Sequence, residues 1–330
     1  KEDRATVAQA LGCAPDEVFF TSCGTEGDNW AIQSALEVNR RRGKHIITTA
    51  IEHAAVLEPC RELERRGYEV TYLEPDRQGN ITAAQVEEAM RPDTALVSMM
   101  LVNNELGAIL PVGEVAQVIR RTGCPALLHC DAVQGFLKIP FSPKKLGVDL
   151  LTVSGHKIHA PKGVGALYVR KGLKLPPLIW GGGQEEGLRS GTEATAQIAA
   201  FAAAARLGRQ TLEEDMARLK EETVRRLAEE VPKAKLLAQG GAPHILAISL
   251  VGYKSEVVVR FLSDRGVYIS SGSACHKGKP SHVFAALKLP KGERDGVLRI
   301  SFSYDTKQED VDALIEGLKG ASEKLFPSLS

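Results

Sequence analysis

Residues 150–157 read Leu150-Leu151-Thr152-Val153-Ser154-Gly155-His156-Lys157. An apolar, β-branched run passes directly into a small polar turn. Such a run is too short for a helix and suits a buried strand. A similar run at 126–130 leads into Asp131-Ala132-Val133-Gln134. Working outward, comparable runs stand at 18–21, 45–49, 69–73, 95–101 and 164–169. Amphipathic stretches at 27–41, 54–66, 82–90 and 112–122 separate most of them. This alternation predicts an α/β fold whose large domain has a mainly parallel seven-stranded sheet covered by helices. Open sheets of this kind place their ligands beyond the carboxyl ends of the strands. The residues just after each strand are therefore the ones that matter.

After Arg189 the pattern changes. Residues 195–231 are Ala-rich and then charged, with Leu207, Leu212, Met216, Leu219 and Leu227 at helical spacing. They read as a helical bridge. Strands at 246–250, 267–269 and 297–302 and a helix at 308–318 predict a smaller α+β C-terminal domain. The expected division is 1–205 and 206–330.

The chain has 330 residues, with 42 Lys plus Arg against 41 Asp plus Glu, a formal charge of +1. That balance gives no electrostatic reason for a nucleic-acid or anionic-membrane partner. With 43% hydrophobic and 25% charged residues, the chain is not a disordered one. No apolar run approaches the about 20 residues that span a bilayer. The opening Lys1-Glu2-Asp3-Arg4 reads as an amphipathic helix rather than a signal peptide. Six cysteines without a CxxC pair make neither a disulfide framework nor a zinc ribbon. A cytoplasmic setting is expected, in which a cysteine acts as a thiol.

Lys157 follows an apolar strand, where a buried ammonium loses its proton readily. Such a lysine can form a Schiff base with a carbonyl cofactor, of which pyridoxal 5'-phosphate (PLP) is the common one. In isolation a surface lysine is the better reading. PLP also needs an acid opposite its pyridine nitrogen. Asp131 suits that role, or that of a helix N-cap, and Gln134 lies within reach of a ring hydroxyl. The phosphate needs backbone N–H groups at a helix start and hydroxyl donors. Thr21-Ser22-Cys23-Gly24-Thr25-Glu26-Gly27 has that form, with Gly24 and Thr25 as donors and Ser154 and His156 adding others. His53, after the strand at 45–49, suits ring stacking and proton transfer. His156 and His159 lack a third ligand, so no metal is expected. Cys275, in Ser271-Gly272-Ser273-Ala274-Cys275-His276-Lys277, has an electropositive setting that favours thiolate. Arg299, between apolar residues, wants a bidentate partner: a substrate carboxylate or an internal acid.

Six stretches occur in one order along the chain: Phe20-Thr21-Ser22-Cys23-Gly24-Thr25-Glu26, Val102-Asn103-Asn104-Glu105-Leu106-Gly107, Asp131-Ala132-Val133-Gln134, Ser154-Gly155-His156-Lys157, Arg189-Ser190-Gly191-Thr192 and Ser271-Gly272-Ser273-Ala274-Cys275. Together they resemble the cysteine desulfurases, a class V aminotransferase-like branch of the fold type I PLP enzymes. The resemblance implies that Lys157 carries PLP, Asp131 pairs with its ring nitrogen, Gln134 with its hydroxyl, and His53 stacks on the ring. It implies Gly24, Thr25, Ser154 and His156 as phosphate ligands. Thr192 would reach the phosphate of a neighbouring subunit, which implies a homodimer. Asn104 and Arg299 would hold the carboxylate of L-cysteine, and Cys275 would take its sulfur as a persulfide, leaving L-alanine. The sulfur acceptor would be an iron–sulfur scaffold or a tRNA-thiolation relay. The pattern departs from the family in two places: an Asn/Ala-Thr-Thr segment ahead of residue 1 is not in this sequence, and Ser301-Phe302-Ser303-Tyr304-Asp305 lacks a second arginine. A selenocysteine lyase, a class V aminotransferase or a non-catalytic partner in a sulfur-transfer complex shares much of the pattern. A loop thiol is what an aminotransferase does not need.

Overall fold

In the computed structural model, which describes residues 1–208, 213–238, 240–271 and 281–327, the chain divides into two units. The first takes Lys1–Glu74, Ile81–Val102 and Leu110–Thr211. It contains α1 (Glu2–Leu11), β1 (Val18–Thr21), α2 (Gly24–Val38), β2 (His45–Thr49), α3 (Ala54–Arg65), β3 (Glu69–Leu73) and α4 (Ala83–Ala89). It continues with β4 (Thr94–Ser98), α5 (Val112–Thr122), β5 (Leu127–Asp131), α6 (Pro143–Leu146), β6 (Leu150–Ser154), β7 (Gly165–Val169) and α7 (Thr195–Gly208).

The seven strands are ordered β1-β7-β6-β5-β4-β2-β3. Pairings from β3 across to β6 are parallel, and β7 is antiparallel to both β6 and β1. Six of the seven strands therefore run one way, as the alternation predicts. The reversal at β7 has a simple cause. Ser154 pairs with Gly165, so only ten residues separate the two ends, too few for a crossover helix. Every residue of β1, β2, β4, β5, β6 and β7 is buried, as a sheet covered on both faces requires.

The covering helices form because apolar residues recur on one face. In α5, Val112, Val115, Ala116 and Ile119 are buried, and Gly123 at φ +66° ends the helix in the left-handed conformation. Each fully buried aliphatic side chain of this kind contributes roughly 1.5–3 kcal/mol relative to exposure. Trp30, Ile32 and Leu36 of α2 pack with Ile46, Leu96 and Leu150 beneath them.

The second unit takes Pro75–Asn80, Asn103–Ile109 and Leu212–Ser330. It contains α8 (Glu213–Glu230), β8 (Ala234–Leu236), β9 (Ile245–Leu250), α9 (Ser255–Ser263), α10 (His282–Ala286), α11 (Lys291–Arg294), β10 (Val297–Ser301) and α12 (Gln308–Lys324). The sheet is antiparallel in the order β10-β9-β8, and Leu219, Leu227, Leu246, Ile248, Leu262, Leu298 and Leu314 share its core.

Three expectations differ in detail. The division expected after residue 205 falls inside α7, which stays with the first unit, while two short upstream segments join the second. The stretch read as one helical bridge is two helices, α7 and α8. Residues 267–269 form no strand; only Ser270 bridges to Arg299. No described helix is long and apolar enough to cross a membrane.

Candidate active site

Because β1, β2, β5 and β6 point the same way, the turns that follow them lie along one edge of the sheet. After β1, Thr21 Oγ1 donates to the Cys23 carbonyl at 3.0 Å, and α2 opens at Gly24. Gly24 is required by close approach: a Cβ there would lie 2.9 Å from Val133 Cγ2. Glu26 in this first turn accepts from Ser22 Oγ at 2.5 Å and from Arg189 Nε at 2.7 Å. Arg189 Nη2 adds a bond of 3.1 Å to its second oxygen. Burial would raise the Glu26 pKa, but the Arg189 and Ser22 bonds outweigh it and hold the carboxyl below its usual range. The 189–192 segment is thereby tied to the start of α2. Ser190 is buried within it and Thr192 is exposed.

His53 ends the turn after β2 as the N-cap of α3. Its Nδ1 accepts from the Ala55 N–H at 3.1 Å, which leaves the neutral ring's proton on Nε2. Asp131 is the last residue of β5, buried, with Oδ1 accepting from the Val133 N–H at 2.9 Å. Burial, followed by the nearby Asp28 carboxyl, pushes the Asp131 pKa up to about 7. A buried acid so raised favours a cation placed opposite it. Gln134 follows, half-buried, in the same turn.

Beneath Asp131 lies a polar layer that the sequence reading missed. His129 Nδ1 is 2.8 Å from Ser98 Oγ, and its Nε2 is 3.1 Å from Thr152 Oγ1 and 3.5 Å from Asp28 Oδ1. Burial lowers the His129 pKa to about 4, so the ring is neutral. Two signals were available. His129 precedes Asp131 by two residues and so shares its face of the strand, and Asp28 stands one turn beyond Gly24 on α2.

After β6, Ser154 is buried and the short 3-10 turn Gly155–Ile158 presents Lys157, half-buried. Ser154 Oγ lies 2.9 Å from His156 Nδ1. Partial burial and then the Lys157 and Lys162 cations lower the His156 pKa, so this exposed ring is neutral at pH 7 and can hydrogen-bond. Gly24, Thr25, His53, Asp131, Gln134, Ser154, His156 and Lys157 thus all come off one sheet edge. Their donor set fits PLP: helix-start N–H groups and hydroxyls for a phosphate, a buried acid for a pyridine nitrogen, an amine for a carbonyl. Among the described residues no group of three or more His, Cys, Asp or Glu side chains could hold a metal.

In the second unit, Arg299 of β10 donates from Nη1 to the Asn104 carbonyl at 3.0 Å, so these two residues are together. Asn103 Oδ1 accepts from the Glu105 and Leu106 N–H groups at 2.9 and 2.8 Å, which sets the turn that carries Asn104. Cys275 lies outside the described residues.

The aminotransferase class-V family model matches residues 1–314. A cysteine desulfurase IscS of Methanosarcina thermophila is 40% identical over 331 residues, covering 98% of this chain and 81% of its own length. A solved NifS-like protein matches with a TM-score of 0.90 at 36% identity, over 98% of this chain and 87% of that one. SspA, solved in complex with cysteine, matches with a TM-score of 0.77 at 36% identity, over 92% and 86% of the two chains. The chain belongs to the aminotransferase class-V family and, within it, to the cysteine desulfurases, PLP-dependent enzymes that mobilise sulfur.

Proposed function

We propose that this chain moves the sulfur of L-cysteine onto Cys275, leaving L-alanine, with PLP carried on Lys157. The observation that carries this reading is the convergence of Gly24–Thr25, His53, Asp131–Gln134 and Ser154–Lys157 on one edge of the sheet. When bound, PLP supplies an electron sink that stabilises negative charge at the substrate Cα and loosens the bond to sulfur.

The chain's own residues do the rest. Asp131 would hold the ring nitrogen protonated, and Gln134 would hold the ring hydroxyl. Gly24 and Thr25, with Ser154 and His156, hold the phosphate. Lys157 would hold the cofactor's carbonyl carbon through Nζ, and the same Nζ would carry the substrate's α-proton. His53 would lie against the ring and would exchange a proton through Nε2, since Nδ1 accepts from the Ala55 N–H. Arg299 and Asn104 hold the substrate carboxylate. The Cys275 thiolate attacks the substrate sulfur: an S–S bond forms, the C–S bond breaks, and its electron pair leaves with carbon, which a proton then converts to the methyl group of alanine. The persulfide passes to an acceptor, an iron–sulfur scaffold or a tRNA-thiolation relay. Thr192 reaches a second copy of the chain in a homodimer.

Two variants test this. Lys157→Ala should lose the cofactor's visible absorbance after gel filtration, and Cys275→Ser should keep it while sulfide release from L-cysteine drops at least about a hundredfold. Undiminished sulfide release in Cys275→Ser removes the nucleophile; retained absorbance in Lys157→Ala removes the anchor.

A further inference from the structure

Lys220 of α8 is only 8% exposed, and its ammonium donates to two backbone carbonyls, Gly240 at 2.7 Å and Ala242 at 2.8 Å. A buried ammonium is costly, and burial alone lowers its pKa to about 8. Two uncharged carbonyls are a modest return unless the turn they belong to has to be held. That turn is built for contact. Gly240 and Gly241 both have left-handed backbone, at φ +73° and +83°. A Cβ on Gly241 would lie 2.3 Å from the Gly107 carbonyl oxygen, which itself accepts from the Ala242 N–H at 2.8 Å. Gly107, at φ +75°, leaves no room either: a Cβ there would meet the Ile245 carbonyl at 2.8 Å. Its N–H closes the 103–107 turn by donating to the Asn103 carbonyl at 2.9 Å. Inside that turn sits Asn104, whose carbonyl receives Arg299 Nη1.

We propose that Lys220 is a positioning residue for the substrate carboxylate: through the 240–242 turn it fixes Gly107, and through the 103–107 turn it sets Asn104 against Arg299. The inference rests on the reading that Asn104 and Arg299 receive that carboxylate. Lys220 touches neither residue, and every link of the chain lies within the second unit.

The test uses the PLP-loaded enzyme, with L-cysteine as substrate and L-alanine as a binding probe read by the cofactor's absorbance. Lys220→Met leaves both carbonyls without their donor, and Gly241→Ala forces the same joint apart from its other side. Each should raise the KM for L-cysteine and the Kd for L-alanine about tenfold, with kcat within about twofold of the parent. Combined, they should cost less than the product of the two, because they act on one joint. If Lys220→Met does not fold, Lys220→Gln and Gly241→Ala carry the test. Leu262→Ala, a core cavity elsewhere in the unit, sets the baseline: an equal rise in KM at equal loss of Tm would reduce Lys220 to a general stabiliser and overturn the proposal. Arg299→Gln separates the two levels. If it raises both constants and the Lys220 and Gly241 variants do not, positioning by Lys220 is wrong and the carboxylate reading stands. If Arg299→Gln moves neither constant, the carboxylate reading fails and this inference falls with it.

Discussion

Glu52, fully buried one residue before His53, accepts from the Met100 N–H at 3.0 Å and the Thr49 hydroxyl at 2.7 Å. Burial outweighs both bonds and pushes its pKa up to about 8, against 4.5 for an ordinary glutamate. The folded chain therefore binds one more proton than the unfolded chain between those values. Stability falls as pH rises through that window, by about 1.4 kcal/mol per pH unit for one such group. Asp28 and Asp131, each raised to about 7, act in the same direction. His129, lowered to about 4 from 6.5, opposes them only below pH 6.5. The urea midpoint of the cofactor-free protein should accordingly decline from pH 6.5 to pH 8, and Glu52→Gln should flatten that decline; parallel curves would show that Glu52 is already ionised. Of this acid layer the sequence shows only the spacing of His129 to Asp131 and of Asp28 to Gly24, not that these side chains meet. Lys157 and His53 come just after strands and Asp131 ends one, so strand ends single them out as candidates, whereas Glu26 and Arg189 meet across 163 positions and Asp28 meets His129 only when α2 lies down on the sheet.

That seating of α2 is decided by glycine. A Cβ on Gly27 would lie 2.6 Å from Thr152 Cγ2 and 3.2 Å from its hydroxyl oxygen. Replacing glycine by alanine inside a helix normally gains up to about 1 kcal/mol. Here the overlap with β6 reverses the sign, since overpacking costs about 1–3 kcal/mol. Gly27→Ala should lower Tm and weaken PLP binding, because the shift would carry Gly24 and Thr25 away from Ser154. Gly113→Ala in α5 is the matched control: the nearest side-chain atom is 4.0 Å away, so Tm should hold or rise slightly. Equal behaviour of the two variants would refute the packing argument. The same glycines explain a boundary misread from sequence. Gly24 and Gly27 look like turn residues, so the sequence predicts α2 from 27, yet it opens at 24. Strands β1, β2 and β3, by contrast, have the expected ends, because periodicity and flanking turns agree there. The antiparallel course of β7 depends on connection length rather than composition, and no residue pattern in it differs from that of its parallel neighbours.

At the scale of the whole molecule, the division into two units was only partly readable. Residues 75–80 and 103–109 belong to the second unit but are short loops between elements of the first, with nothing in their composition to mark them. The exposed surface of the first unit carries the remaining prediction. Leu178 N–H donates to the Leu188 carbonyl at 2.7 Å, and Ser190 N–H to the Ile179 carbonyl at 3.1 Å. This pairing sets Ile179, 41% exposed, and Trp180, 82% exposed, on a run that lies along Arg189 and Ser190, the residues that lead into Gly191 and Thr192. An indole left in water is a poor use of the side chain with the most to gain from burial, and tryptophan is enriched where subunits meet. A twofold interface is self-complementary, so a charge introduced on one copy also confronts its mate. If the chain forms the proposed homodimer, Trp180→Glu should convert it into a monomer, with the mass from light scattering halved, and sulfide release should fall as Thr192 loses the neighbouring site proposed for it. A parent protein that is monomeric at micromolar concentration, or a variant that remains dimeric, would place Thr192 outside any shared site. Trp180→Phe keeps the apolar face and should remain dimeric, which separates loss of the interface from loss of the indole.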